Sequence, residues 1–251
     1  MAVAKVKSIL VSQPKPETEK SPYYDLAKSY NVKIDFRSFI HLEPIEVTDF
    51  RKYKLNLNDY TAIILTSRNA ADHFFRIFKE MRLSHVDNLK FFCTTESTAY
   101  YLQKYITYRK RKIFFGNGSL TDLSDYLKKN KKEKFLFPCS DTASPEMFGY
   151  LTELKIDFDK AILYKTVCSD LSDLANIKYD MLVFFSPTSI KSLMKNFPKF
   201  KQNSTRIAAF GNKTSKAIEE AGLRLDIAAP VPESPSMTMS IESYLKQHNK
   251  R

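Results

Sequence analysis

Hydroxyl side chains recur in this sequence just after short runs of β-branched and aromatic residues. They stand at Ser12, Thr66-Ser67, Thr94-Thr95, Gly116-Asn117-Gly118-Ser119, Ser140-Asp141-Thr142, Ser186-Pro187-Thr188, Gly211-Asn212-Lys213-Thr214 and Glu233-Ser234-Pro235-Ser236. Where a strand hands over to a helix, the first turn carries backbone N–H groups without intrahelical partners, and the helix dipole favours negative charge there. Such positions suit carboxylates and phosphates. Ser and Thr also serve at the same place as ordinary N-caps, so no single one of them points to a ligand. The candidates for anion contact are Thr66, Ser67, Thr95, Ser119, Ser186, Thr188, Asn212, Lys213 and Thr214, because the pattern recurs at matching positions in two halves of the chain.

The halves repeat at an offset of 116 to 123 residues. Tyr60-Thr61-Ala62-Ile63-Ile64-Leu65-Thr66-Ser67 reads like Tyr179-Asp180-Met181-Leu182-Val183-Phe184-Phe185-Ser186, and Phe74 and Phe78 fall opposite Leu193 and Phe197. Thr95 aligns with Gly211, Ser21-Pro22 with Ser144-Pro145, and Lys33-Ile34-Asp35-Phe36 with Lys155-Ile156-Asp157-Phe158. Each copy is long enough to hold its own core, unlike the short unit of a solenoid. Two similar domains facing each other are expected to make one cleft.

Other chemistries lack their residues. With only 5 glycines and no GxGxxG or GxxxxGK[ST] run, dinucleotide and nucleoside-triphosphate sites are disfavoured. His41, His73, His85 and His248 have no spacing that suggests a metal set or a catalytic triad, and solvated or capping roles are expected for them. GxSxG is absent. The cysteines Cys93, Cys139 and Cys168 are odd in number and without CxxC spacing, which predicts reduced, packed thiols. No metal, cofactor or covalent nucleophile is expected.

The elements that position the hydroxyls alternate in the manner of parallel sheets with crossover helices. Strands are predicted over 8–12, 61–66, 90–93, 112–115, 134–137, 180–185, 206–210 and 225–229. Helices are predicted over 22–29, 69–80, 97–105, 120–129, 145–154, 188–196, 213–221 and 237–247. The runs 33–42 and 156–167 are extended with no helix behind them, and they are the natural connections between domains.

Composition sets the frame. A chain of 251 residues with 43% hydrophobic content suits two domains with a core each. No run of about 18 apolar residues occurs, and Met1 to Lys7 leads into a strand-like stretch, so a soluble cytoplasmic protein without membrane attachment is expected. The net charge of +12 is concentrated in Arg109-Lys110-Arg111-Lys112 and in the lysines of 128–134. Both runs fall where helices should end, so dipole interaction and solvation account for them and nucleic-acid binding is disfavoured. The remaining basicity suits a polyanionic small molecule.

The run Phe184-Phe185-Ser186-Pro187-Thr188-Ser189, followed by Ile207 through Leu223 around Gly211-Asn212-Lys213-Thr214-Ser215, closely resembles the uroporphyrinogen-III synthase family. The similarity extends to Ile64-Leu65-Thr66-Ser67, Phe135-Leu136-Phe137-Pro138, Leu163-Tyr164-Lys165-Thr166 and Ala229-Pro230, and the segment from Gly211 to Gly222 is its most specific part. The resemblance implies an α/β fold of two similar parallel-sheet, flavodoxin-like domains joined by a two-stranded linker. One domain would comprise residues 1–37 with 168–251 and the other residues 40–163, with linker strands at about 33–42 and 156–167.

The same resemblance implies a monomeric hydro-lyase of porphyrin and heme biosynthesis. It would cyclise hydroxymethylbilane, a linear tetrapyrrole polycarboxylate, to uroporphyrinogen III with loss of water and inversion of ring D, through a spiro intermediate and without a cofactor. Tyr164 matches the tyrosine the family is thought to use in protonating or orienting the departing hydroxyl; the other reading of Tyr164 is an aromatic packed at the domain junction. Departures from the family pattern are Gln13 for an arginine, Asn212 in place of the proline of a Gly-Pro pair, and Thr95 in place of glycine. Two functions stay open at this point: the enzyme, and a non-catalytic tetrapyrrole-binding or regulatory paralogue.

Overall fold

The protein is described by a computed structural model over residues 5–18, 20–175 and 177–249, and the His85 side chain and residues 1–4 lie outside the described part. In chain order the elements begin β1 Ser8–Val11, α1 Pro22–Tyr30, β2 Lys33–Phe36, β3 Ile40–Pro44, α2 Val47–Phe50, β4 Ala62–Leu65, α3 Arg68–Glu80, β5 Lys90–Cys93 and α4 Glu96–Tyr101. They continue β6 Ile113–Phe115, α5 Ser124–Lys129, β7 Phe135–Ser140, α6 Pro145–Glu153, β8 Phe158–Cys168, β9 Met181–Phe184, α7 Pro187–Asn196, β10 Arg206–Phe210, α8 Asn212–Glu220, β11 Ile227–Ala229 and α9 Met237–His248.

The chain divides into two units, Met1–His41 with Val167–Arg251, and Leu42–Thr166. In the first, the strand order is β11-β10-β9-β1-β2, with each pair parallel. In the second, the order is β3-β8-β7-β4-β5-β6. The inserted strand explains the split: β1 comes from the start of the chain yet sits between β9 and β2, so the first sheet cannot close until the far end of the sequence has been made. The run 33–42, read as one extended connection, is two strands in two sheets, broken at Arg37-Ser38-Phe39. Arg37 fixes that break, with Nε 2.9 Å from Asp173 Oδ2 and Nη2 2.8 Å from the Asp170 carbonyl.

Central strands buried on both faces read as unbroken apolar runs, as Ala62–Leu65 and Met181–Phe184 do. The helices bury one stripe: along α3, Ala70, Ala71, Phe74, Phe75, Ile77 and Phe78 are buried at helical spacing. Phe74 packs edge-on to Phe91 of β5 at 6.3 Å between centroids and Phe75 stacks on Tyr105 at 4.2 Å, so the loss of either ring would cost about 3–5 kcal/mol. Each unit also ties its amino end with a phenol. Tyr60 donates to Asp159 at 2.8 Å in one, and Tyr179 donates to Asp35 at 2.9 Å in the other. Cys93 and Cys139 are free and buried, and burial pushes their thiols up to about 12 and about 11. Among the described residues no helix is long and apolar enough to cross a membrane.

The two basic runs differ in placement. Lys128 and Lys129 occupy the last turn of α5, where the dipole favours them. Arg109 to Lys112 lie instead in the turn entering β6, and Lys112 Nζ is 2.7 Å from the Asp87 carbonyl.

Asp72 on α3 locks that helix to α4 and the turn after it, accepting from Tyr101, Tyr105 and Lys104. Burial raises its carboxyl, but the phenols of Tyr105 and Tyr101 and the Lys104 ammonium outweigh that and hold it below the usual range. A depressed carboxyl contributes stability that is present above its unfolded pKa and lost as pH falls through the folded one. Asp72→Asn should therefore lower stability at neutral pH by about 1 kcal/mol, a figure kept small by solvent screening. Urea melts should show the gap closing as pH drops below the ordinary carboxylate range; a gap constant from neutral to strongly acidic pH would contradict the role given to Asp72.

Candidate functional site

The first-turn amides decide what each strand end can offer. Ser67 is the second residue after β4 and its Oγ accepts the Ala70 N–H at 3.1 Å. Thr95 caps α4 in the same way from Thr98 at 3.2 Å, Ser186 caps α7 from Ser189 at 3.2 Å, and Ser236 caps α9 from Met239 at 3.2 Å. Those hydroxyls thus hold the third helical amide. A ligand meets the amides before it and whatever lone pair or proton the cap has left.

Gly211 behaves differently from its repeat partner Thr95. It caps α8 with no side chain, at φ 84° and ψ 147°, and the Thr214 N–H turns back onto its carbonyl at 3.0 Å. Asn212 and Lys213 are exposed on the first two helical positions, whereas the Thr214 side chain is 2% exposed and faces inward. Thr188, second in α7, and Thr66 are half-buried, and the Thr66 carbonyl accepts from Thr94 Oγ1 at 3.3 Å.

The loop Gly116-Asn117-Gly118-Ser119 has the look of an anion cradle but is already filled from within the protein. The Asn117 and Ser119 N–H groups both donate to Asp122 Oδ2 at 3.0 Å, and these bonds, Ser119 foremost, hold the carboxyl below its usual range. Gly116 is needed for this closure, because a Cβ there would lie 2.6 Å from the Asp122 Cβ. Ser119 keeps an exposed hydroxyl, paired with Thr121.

Tyr164 of β8 lies in the second unit with only 7% of its surface exposed. Burial pushes its phenol above the ordinary value, and the Ser67 hydroxyl pulls it part of the way back. The phenol is thereby placed next to the head of α3. Its ring stacks on His73 of the same helix, centroids 4.7 Å apart and planes 17° from parallel. His73 differs from the expected solvated or capping histidine: Nδ1 is buried without a hydrogen-bond partner, and burial, helped by Arg76, lowers its pKa and keeps the ring neutral. His41 is paired with Ser169 at 3.1 Å, and His248 Nδ1 donates to the Tyr244 carbonyl at 2.9 Å. Ser12, ending β1, is 4% exposed and its Oγ has no partner. Among the described residues no group of three or more His, Cys, Asp or Glu could hold a metal ion.

The family profile described as uroporphyrinogen-III synthase HemD matches residues 22–239. The chain belongs to the uroporphyrinogen-III synthase family. A uroporphyrinogen-III synthase of Chlorobaculum parvum is 24% identical over 261 residues, spanning 96% of this chain and 100% of that protein. The crystal structure of uroporphyrinogen-III synthetase from Helicobacter pylori 26695 is similar at a TM-score of 0.64 and 18% identity, over 96% of this chain and 99% of that one. A mutant uroporphyrinogen III synthase of Thermus thermophilus gives a TM-score of 0.56 at 13% identity, again over 96% and 99%. At such identities the structural likeness establishes the α/β parallel-sheet fold of these synthases.

In this synthase-family chain the backbone at Gly211 is one that a side chain tolerates poorly. No heavy atom lies within 4 Å of an added Cβ there, so Gly211→Ala should be costly through conformation alone, by about 1–2 kcal/mol in denaturant unfolding. An unchanged midpoint would mean that the loop relaxes freely.

Proposed function

We propose that this chain is a hydro-lyase that cyclises hydroxymethylbilane to uroporphyrinogen III, with loss of water and inversion of ring D. The observation that carries the proposal is the burial of Tyr164 beside Ser67 at the head of α3, taken with membership of the family. Departure of the terminal hydroxyl needs a hydrogen-bond donor, and a phenol held above its ordinary pKa keeps its proton at neutral pH. Tyr164 donates that bond while the C–O bond breaks, and the proton leaves with the hydroxyl as water. The azafulvene cation left behind is attacked by the substituted carbon of ring D. The spiro intermediate reopens by breaking that carbon's other bond, to the ring C methylene, and the second azafulvene cation so formed closes onto the free α-carbon of ring D, whose proton returns to the phenol. Neutral His73, stacked on the Tyr164 ring, fixes the direction of the phenol.

The carboxylates are proposed to lie on the strand-end groups: Thr66, Ser67, Thr95 and Ser119 of one unit, and Ser186, Thr188, Asn212, Lys213 and Thr214 of the other. Many weak anchors hold a flexible chain curled so that its ends meet, which lowers the entropic cost of closure. Asn212 and Lys213, exposed with the amides of an uncapped first turn, are the strongest of these anchors, while Thr214 acts through its N–H and the packing of its side chain.

Two tests follow. Tyr164→Phe should lower turnover by about 10²- to 10⁴-fold while leaving tetrapyrrole binding in place, because a positioned donor acts in the transition state. The assay is conversion of freshly generated hydroxymethylbilane scored for isomer III against the spontaneous isomer I. If the unaltered protein binds the tetrapyrrole yet yields isomer I alone, it is a binding protein and the enzymatic proposal fails.

The second test separates capping from binding. Ser186→Ala should lose about 1 kcal/mol of stability with its cap. Thr188→Ala and Lys213→Ala should leave stability within about 0.5 kcal/mol and weaken tetrapyrrole binding by about 0.5–1.5 kcal/mol each. Titration calorimetry beside thermal melts reads both; full affinity in a Thr188→Ala, Lys213→Ala double variant would remove these residues from the site.

A further inference from the structure

The sheet face covered by α7 and α8 in the first unit has no helix over β1, where Leu10 is buried in one cluster with Phe39 and Leu171 instead. After β2 the chain leaves this unit, and on its return the described residues between Ser169 and Asp180 hold only the single turn Ser172–Leu174. No helix is left to cover Leu10. A cavity of about 710 Å³ lies there. Its apolar lining includes Leu10, Leu182, Leu193, Phe197 and Phe200. Tyr179-Asp180 and Ser204-Thr205, which lead into β9 and β10, also line it, so it belongs to the amino pole of the sheet, away from Ser186 and Gly211.

Several polar groups of the lining are spent on the protein itself. Asp180 Oδ2 accepts from the Lys7 N–H, the Ser8 N–H and the Ser8 hydroxyl at 2.8, 2.9 and 3.0 Å. Tyr179 is bonded to Asp35, and Gln202 bonds the Thr205 and Arg224 carbonyls. Lys178, Lys199 and Lys201 remain, exposed at the lining, and among the described residues their ammonium groups make no ion pair or hydrogen bond. An apolar cavity with three unpaired cations at its lining is complementary to an apolar chain that ends in an anion.

We propose that this cavity binds a single-chain amphipathic monoanion, with the apolar chain on Leu10, Leu182, Leu193 and Phe197 and the anionic head among Lys178, Lys199 and Lys201. This site is independent of the tetrapyrrole chemistry above. The lysines sit on flexible stems that can follow the head group, while Leu10 and Leu182 are strand residues already fixed in the core.

The test is titration calorimetry of the full chain with dodecanoate, below its micellar range, beside dodecan-1-ol as the neutral counterpart. Dodecanoate should saturate a single site per chain. The double variant Lys199→Glu, Lys201→Glu should weaken it by about tenfold or more, with dodecanol binding unchanged. Both substitutions are at exposed positions, and an unchanged melting curve confirms the fold. Absence of saturable dodecanoate binding, or equal binding to the charge-reversed variant, overturns the proposal. So does equal loss of both amphiphiles, which would mean that the head group is not read.

Discussion

The amide of the third residue of a crossover helix has to find a partner before anything else can be built at that end of a parallel sheet. Buried backbone N–H groups are rarely left alone. Here the chain meets this demand in two ways. Ser67, Thr95, Ser186 and Ser236 meet it with a side-chain oxygen, and Gly211 meets it with its own carbonyl. The first way fixes a hydroxyl in place and gives up part of its capacity to bind a ligand. The second leaves the helix head bare, with no side chain of its own between backbone and solvent. Strand-end hydroxyls are therefore first of all structural, and the functional weight shifts to what they leave uncovered.

The order of strands has an equally wide effect. Since β1 must fit between β9 and β2, the second unit is an insertion between the second and third strands of the first, made in chain order. The insertion takes the place of a crossover helix. That missing helix both frees the two strands Ile40–Pro44 and Phe158–Cys168 to run side by side and leaves Leu10 covered by a short turn. The connection and the cavity thus have the same topological cause.

Much of this was legible in the sequence. Apolar runs such as Ala62–Leu65 and the stripe from Ala70 to Phe78 follow from burial on two faces and on one face, and the repeat doubled the evidence for each. What escaped had no periodic signal. The short helix Val47–Phe50 is too brief to show one. The break at Arg37 depends on Asp170 and Asp173, which are remote in sequence. The occupation of the Gly116–Ser119 loop by Asp122 looks, in sequence, like an ordinary acid near a helix start. The contact of His73 with Tyr164 joins a helix to a distant strand, and no spacing rule within either element reports it. In the candidate site the types of residue could be read, but not which of their atoms were already committed: Thr214 carries a hydroxyl, yet its side chain is packed inward.

The phenol ties at the amino ends bear on how the two copies have drifted. Leu182 pairs with Leu10, which pairs with Asp35, and in the other unit Ile63 pairs with Leu136, which pairs with Asp159. By these ladders Asp35 corresponds to Asp159, whereas the written sequences align it with Asp157. The difference is two residues, one full pleat. Side chains on a strand alternate between faces, so a slip of two restores sidedness where a slip of one would turn every residue over. Yet the helices α1 and α6 are equally long, and the turn from α6 to Asp159 is one residue longer than the turn from α1 to Asp35, so the turn absorbs the change before the strand register begins. An ancestor of this fold could lengthen the loop in one copy without losing the tyrosine–aspartate tie, because the strand takes its register from its neighbour and not from the turn.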